Sequence, residues 1–355
     1  MWIDTLYDAA RTFPFVLGRV PLRELELSIT ERCSEPDPII IERIQTAYRK
    51  AKEAQRTVEP EYLPSGEWKD DIPRRRSRYI SALNATTTRP LRDLFREFFR
   101  NEGIAGLWCY GYYDSVQTGS IVEKALYAAR IHQDVIHWKQ RYGQSVLSLK
   151  IPDIGNPWGI VTDGTLITST SCRHHHLAHQ VGQLLERCPS DQVLEIGGGF
   201  GGVAYYLHRT RGEKPIHYVN LDIPEVLVMS QYFLMHAISP DFALFGEDRN
   251  WSGSLLPNFV LPELASNAFD VVVNTGSLPE MARATVEVYI SQITRVCRRF
   301  FLSENSNRAE RKPNHTEIAA SEFPLSPSHW RRVYSTPTPW GGSAGRMVEE
   351  VYERQ

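Results

Sequence analysis

Apolar positions along the chain follow two rhythms, and the change between them comes near residue 170. Across 38–56, Ile40, Ile41, Ile44, Ala47, Tyr48 and Ala51 recur at helical spacing, and Pro38 suits a first helical turn. A second helix is expected after Pro90, with Leu91, Leu94, Phe95 and Phe98 on one side. Ser120 and Glu123 fit a capping box, and Val122, Ala125, Leu126, Ala129 and Trp138 carry that helix to about Gly143. Pro152, Gly155, Pro157, Gly159 and Gly164 then predict an irregular connection with short β-prone pieces such as 166–168.

Beyond that point short apolar runs alternate with helical patterns. Helices are expected at 174–187, 202–209, 224–236 and 281–297. Strands are expected at 192–196, 216–221, 242–245, 269–273 and 300–303. Such alternation predicts a mostly parallel sheet covered on both faces. Residues 331–336 and 347–352 are also β-prone, with Pro337, Pro339, Gly341, Gly342 and Gly345 between them, which predicts a C-terminal antiparallel hairpin. The expected fold is α/β and Rossmann-like over 171–355, preceded by a mainly helical region over 1–170.

Composition narrows the function classes. Of 355 residues, 42% are apolar and 23% charged, which suits a soluble globular protein with a substantial core. A formal net charge of -2 implies no broad basic face for nucleic acid. The run Arg74-Arg-Arg-Ser-Arg78 reads as a solvated loop. Five scattered cysteines with no CxxC pair argue against a disulfide framework or structural zinc, and point to a reducing, cytoplasmic setting. The N-terminus lacks a signal-peptide core, and no run of about 20 apolar residues would span a membrane.

The main chemical signal is Val193-Leu-Glu-Ile-Gly-Gly-Gly-Phe-Gly-Gly202. Gly197, Gly199 and Gly202 formally satisfy GxGxxG, a tight strand-to-helix turn that lets a ligand approach the backbone. A nicotinamide cofactor uses the same geometry. Glu195, two residues before the turn, suits a cationic ligand better than an anionic pyrophosphate. Asp222, ending the second strand, can accept ribose hydroxyls or cap the helix after it.

Residues 170–305 resemble the sugar O-methyltransferases of natural-product and polysaccharide gene clusters. The resemblance rests on Val193–Gly201, on Leu221-Asp-Ile-Pro-Glu225 and on Asn274-Thr-Gly-Ser-Leu-Pro-Glu-Met281, in that order. It implies a class I methyltransferase fold, S-adenosylmethionine as donor and a sugar hydroxyl as acceptor. Glu195, Gly197, Gly199, Asp222 and Asn274 then match donor-binding positions, and Ser277 and Glu280 face donor and acceptor. The chain departs from the family at Gly276 and Pro279, where Phe and Gln are common nearby. Some relatives use magnesium, although no metal-ligand spacing stands out here.

Methyl transfer to an alcohol needs in-line approach and a proton acceptor. The cluster His174-His-His176 supplies candidates, with His175 first as base, His174 next, and His176 toward the acceptor. Glu280 can hold a hydroxyl, orient the base or bind a cation. Asn305 and Trp251 are further acceptor-side candidates, and the 1–170 region would set acceptor choice or oligomerisation. The expected partners are a small sugar-bearing acceptor and a second copy of the chain. Three readings compete: a phenolic or polyketide acceptor, an NAD-dependent oxidoreductase, and a methyltransferase-like scaffold without turnover.

Overall fold

Asp37 starts the first helix. Its carboxylate accepts the Ile39 N–H at 2.8 Å, and Pro38 occupies the first turn. The structure is a computed structural model that describes residues 34–107, 121–248, 253–312, 316–340 and 346–355. Helix α1 (Pro38–Ala54) buries Ile40, Ile41, Ile44, Ala47, Tyr48 and Ala51, the stripe read from the sequence. Helices α2 (Glu67–Arg75), α3 (Ser77–Leu83) and α4 (Arg89–Arg96) follow. Phe98 falls beyond α4 in a short 3-10 turn, yet is fully buried. Helix α5 (Ile121–Tyr142) stops at Gly143, whose positive φ of 61° suits a helix C-terminus. The capping-box Ser120 lies outside the described residues.

The arginine run is not a solvated loop. Arg74 and Arg75 close α2, and Arg76 is fully buried. Its guanidinium pairs with Asp71, reaches the Ala105 carbonyl at 3.2 Å and lies 4.7 Å from the Trp68 ring centre. A buried arginine so surrounded is a structural pin, because leaving its charge unpaired would be costly.

The short hairpin β1 (Ile160–Thr162) and β2 (Thr165–Ile167) fills part of the irregular connection. Next come α6 (Ser171–Leu185), β3 (Gln192–Ile196), α7 (Gly202–Arg211), β4 (His217–Asp222) and α8 (Pro224–Ala237). Strands β5 (Ala243–Leu244), β6 (Gly253–Pro257) and β7 (Phe269–Thr275) precede α9 (Arg283–Val296) and β8 (Cys297–Ser306). The small β9 (Glu310–Arg311) and β10 (Thr316–Glu317) pair with each other. Strands β11 (Trp330–Pro337) and β12 (Met347–Arg354) form the expected antiparallel hairpin.

Among the described residues the main sheet has eight strands in the order β11-β12-β8-β7-β3-β4-β6-β5. Strands β3 to β8 are parallel, and β12 joins β8 in antiparallel register. This is the α/β Rossmann-like fold with a mostly parallel sheet, a C-terminal hairpin and a helical N-terminal region. The expected run 242–245 shrinks to two residues, while β6 takes the place beside β4.

Strand alternation sorts the core. Val193, Tyr218, Val271 and Val273 face one side with α6, α7 and α8, whereas Leu194, Ile196, Val219 and Val272 face the other with α9. Helices α1, α3 and α4 join the first side: the Phe95 ring stacks on Tyr232 of α8, centres 4.2 Å apart. The order runs outward from β3 through β4 and from β3 through β7, so a switch point lies between β3 and β7.

Candidate functional site

A crevice opens at the carboxyl ends of β3 and β7. It is lined by the glycine turn, by Thr275, Gly276, Ser277 and Glu280, by Arg173 and His174 of α6, and by Trp68 and Leu107 from the N-terminal region. Its volume is about 70 Å³.

The turn needs its glycines. Gly197, Gly199 and Gly201 have φ of 72°, 58° and 91°. A Cβ on Gly197 would collide with Ser277, and one on Gly202 with the His174 ring. The Gly198 N–H donates to Asn220 Oδ1 at 3.2 Å, and the Gly199 N–H to Asp222 Oδ2 at 3.0 Å. Asn220, missed in the sequence, is oriented in turn by donating to Ser230 Oγ at 3.0 Å.

Two buried carboxyls sit behind the turn. Glu195 accepts the Tyr218 hydroxyl proton and lies on the α7 face of the sheet. Burial pushes its pKa up to about 7, against the pull of Tyr218 and Arg173. Asp222 also accepts the Ile223 N–H at 2.8 Å, and burial raises it to about 7 against those two N–H groups. Asp222 does not cap α8, whose N-cap is Ile223.

Asn274, Ser277 and Asn305 come together as a brace. Asn274 Nδ2 donates to the Ile196 carbonyl at 2.9 Å and to Ser277 Oγ at 2.6 Å. Asn305 Nδ2 donates to Asn274 Oδ1 at 3.0 Å and is fully buried. Ser277 reaches the crevice, while the two amides lock the ends of β3, β7 and β8 together.

The three histidines point apart, as consecutive helical residues must. His174 lines the crevice against Phe200, ring centres 5.4 Å apart. Burial, and then Arg173, hold its pKa well below the ordinary value, so it is neutral at neutral pH. His175 is turned away: its Nδ1 accepts the Trp138 indole N–H at 3.1 Å. His176 is farther still, held between Tyr142 and Glu349 at 2.6 Å each. The base named first from the sequence, His175, therefore does not reach the crevice, and neither does His176.

Glu280 does. Its Oε2 accepts the Trp68 indole N–H at 2.8 Å. Burial first, then the neighbouring Glu67, raise its pKa to about 8. Arg173, which carried no signal in the sequence, lines the same crevice as a cation, and its Nε donates to buried Glu304 at 2.7 Å. Trp68 carried no local signal, because its role depends on a contact with a distant loop.

Trp251 lies outside the described residues. Among the described residues no cluster of three or more His, Cys, Asp or Glu side chains is arranged to hold a metal ion. No described helix is long and apolar enough to cross a membrane.

No family model matches the sequence. No curated protein matches it either. Among solved structures the chain is similar to the mitomycin 7-O-methyltransferase MmcR, at 16% identity over 65% of this chain and 70% of that one, with a TM-score of 0.37. It is similar to magnesium protoporphyrin IX methyltransferase (ChlM) from Synechocystis PCC 6803, at 12% identity over 53% and 82%, TM-score 0.38. A third similar structure is the 1,6-didemethyltoxoflavin-N1-methyltransferase of Burkholderia thailandensis, at 15% identity over 64% and 89%, TM-score 0.37.

Proposed function

We propose that this chain is an S-adenosylmethionine-dependent O-methyltransferase acting on a hydroxyl of a small, sugar-bearing acceptor. The observation that carries the reading is the glycine turn at the sheet's switch point, with a cation and a high-pKa carboxyl lining the same crevice.

The residues fit the donor. Gly197 and Gly199 keep the turn free of side chains where a ligand must meet backbone. Arg173, steadied by Glu304, suits the donor's carboxylate. Asp222, at the end of β4 and bonded to the Gly199 N–H of the turn, is the carboxyl that would accept the ribose hydroxyls. The donor supplies an electrophilic methyl group when bound.

The chain's own residues handle the acceptor. Glu280 takes the hydroxyl proton, and its raised pKa makes it a stronger base than an ordinary carboxylate. Neutral His174 accepts or donates a second hydrogen bond and fixes the acceptor's orientation. Ligand pockets commonly span about 300–1,000 Å³, so a crevice of about 70 Å³ requires Trp68 and Leu107 to move aside on binding. Residues of the 1–170 region thereby form the acceptor wall.

Calorimetric titration with S-adenosylmethionine and S-adenosylhomocysteine tests the first half, with NADH as the comparison. Saturable binding of both, and none of NADH, is the expected result; the reverse pattern overturns it. Mass spectrometry of sugar-bearing against purely phenolic acceptors then tests the second half.

A further inference from the structure

A second cavity, of about 400 Å³, lies outside the crevice, between α6 and the last turn of α7. Helix α6 separates the two. His174 faces the crevice, and His175 and His179 face the cavity. We propose that this cavity is a binding site for a small hydroxylated anion, a metabolite bearing a phosphate or carboxylate group.

Four observations carry it. First, His175 is almost fully buried and its Nδ1 accepts the Trp138 indole N–H, so the imidazole proton sits on Nε2 as a donor. Second, the neighbouring His179 has a buried Nδ1 with no hydrogen-bond partner among the described residues. Third, Arg209 lines the cavity and pairs with no carboxylate among the described residues. Its guanidinium donates only to neutral oxygens, Tyr205 OH at 2.9 Å and the Leu147 carbonyl at 3.3 Å. Arg211 beside it is already matched by Asp191. Fourth, Gly182 sits inside α6 on the cavity wall, and a Cβ there would meet nothing within 4 Å. Glycine weakens a helix interior; here its absent side chain leaves the cavity open.

The hydrogen-bond donors on the lining suit an anion. Burial holds His175 at a pKa of about 4 and lowers that of His179, so both are neutral near pH 7 and can donate one N–H each. Arg209 adds a guanidinium with no carboxylate partner among the described residues, and Glu186 on the lining offsets its charge overall, so the anion is held by donated hydrogen bonds and not by net charge. Gln144, Gln183 and Thr210 suit hydroxyls on the same molecule.

Inorganic phosphate is the probe. Full-length ¹⁵N-labelled protein at neutral pH is titrated with sodium phosphate, and with sodium chloride at matched ionic strength, while the imidazole nitrogens are followed by NMR. The expected result is a saturable shift of the His175 and His179 resonances with phosphate alone. Arg209→Gln should weaken it at least about tenfold, the loss expected for one charge-assisted contact, and Gly182→Leu should weaken it at least as much by filling the cavity with its side chain. Circular dichroism confirms that each variant is folded. Binding of S-adenosylmethionine, measured on the same samples, should be unchanged, because neither residue touches the crevice. No saturable phosphate response, or a response retained by either folded variant, overturns the proposal.

Discussion

The indole Nε1 of Trp68 donates to Oε2 of Glu280 at 2.8 Å, across 212 positions of sequence. This bond closes the crevice from the N-terminal side and sets the chemistry of its main acid. A donated N–H stabilises the ionised carboxylate, whereas burial and Glu67 oppose ionisation. The opposing effects win, and the group titrates at about 8.

The first prediction concerns rate against pH. If Glu280 takes the acceptor's proton, kcat/KM rises as pH passes through about 8 and levels above it. Glu280→Gln should lower kcat by roughly 10²–10⁴-fold and flatten that profile. Trp68→Phe removes the N–H but keeps an aromatic wall, so the inflection should move to higher pH. A wild-type profile without this inflection, or a Gln variant at full rate, removes Glu280 from its role.

The second concerns the turn. Gly197→Ala demands a Cβ at a φ of 72° and in the space of Ser277. Backbone strain alone costs on the order of 1–3 kcal/mol. Donor affinity should fall by more than tenfold, and the melting temperature should drop. Adding Ser277→Gly relieves the collision but not the strain, so only part of the affinity should return. Full recovery in the double variant would show that the left-handed backbone is not needed.

Much of the architecture was legible because burial on both faces forces long apolar strands, as in Val193-Leu194 and Val271-Val272-Val273. The β6 segment was not, since Gly253 and Ser254 dilute its apolar character and its neighbours in the sheet decide its state. The glycine turn was readable from local backbone demands. The histidines were not separable, because Trp138, Tyr142 and Glu349, far away in sequence, determine where each ring goes. Trp68 and Arg76 escaped for the same reason: their partners come together only in the folded chain.

The third prediction separates those histidines. His176 joins Tyr142 and Glu349, and Glu349 also accepts the Tyr334 hydroxyl at 2.6 Å, so the group ties α5 and α6 to the terminal hairpin. His176→Ala strands a buried carboxylate, a loss of roughly 3–5 kcal/mol, and should lower the melting temperature by on the order of 10 °C. The folded fraction should keep its kcat. His174→Ala should do the opposite, lowering kcat with little loss of stability. Calorimetry and initial rates on both variants decide, and a kcat loss confined to the His176 variant would reverse the assignment.

The last prediction links Glu195 to stability. Its folded pKa of about 7 exceeds the ordinary 4.5, so the folded state holds the proton more tightly than the unfolded chain. Its contribution is complete below about pH 4.5 and is lost as pH rises through about 7. Asp222 at about 7 and Glu280 at about 8 act with the same sign. Stability should therefore decline between about pH 5 and pH 8.5. Glu195→Gln keeps an acceptor for Tyr218 without a charge to bury. At about 1.4 kcal/mol per pH unit, it should recover on the order of 3 kcal/mol at pH 8.5 and nothing at pH 4. Urea midpoints at the two ends of that range measure the difference between variant and wild type. Equal slopes for the two proteins would mean that Glu195 ionises freely in the folded state, and that its burial behind the glycine turn is relieved by solvent.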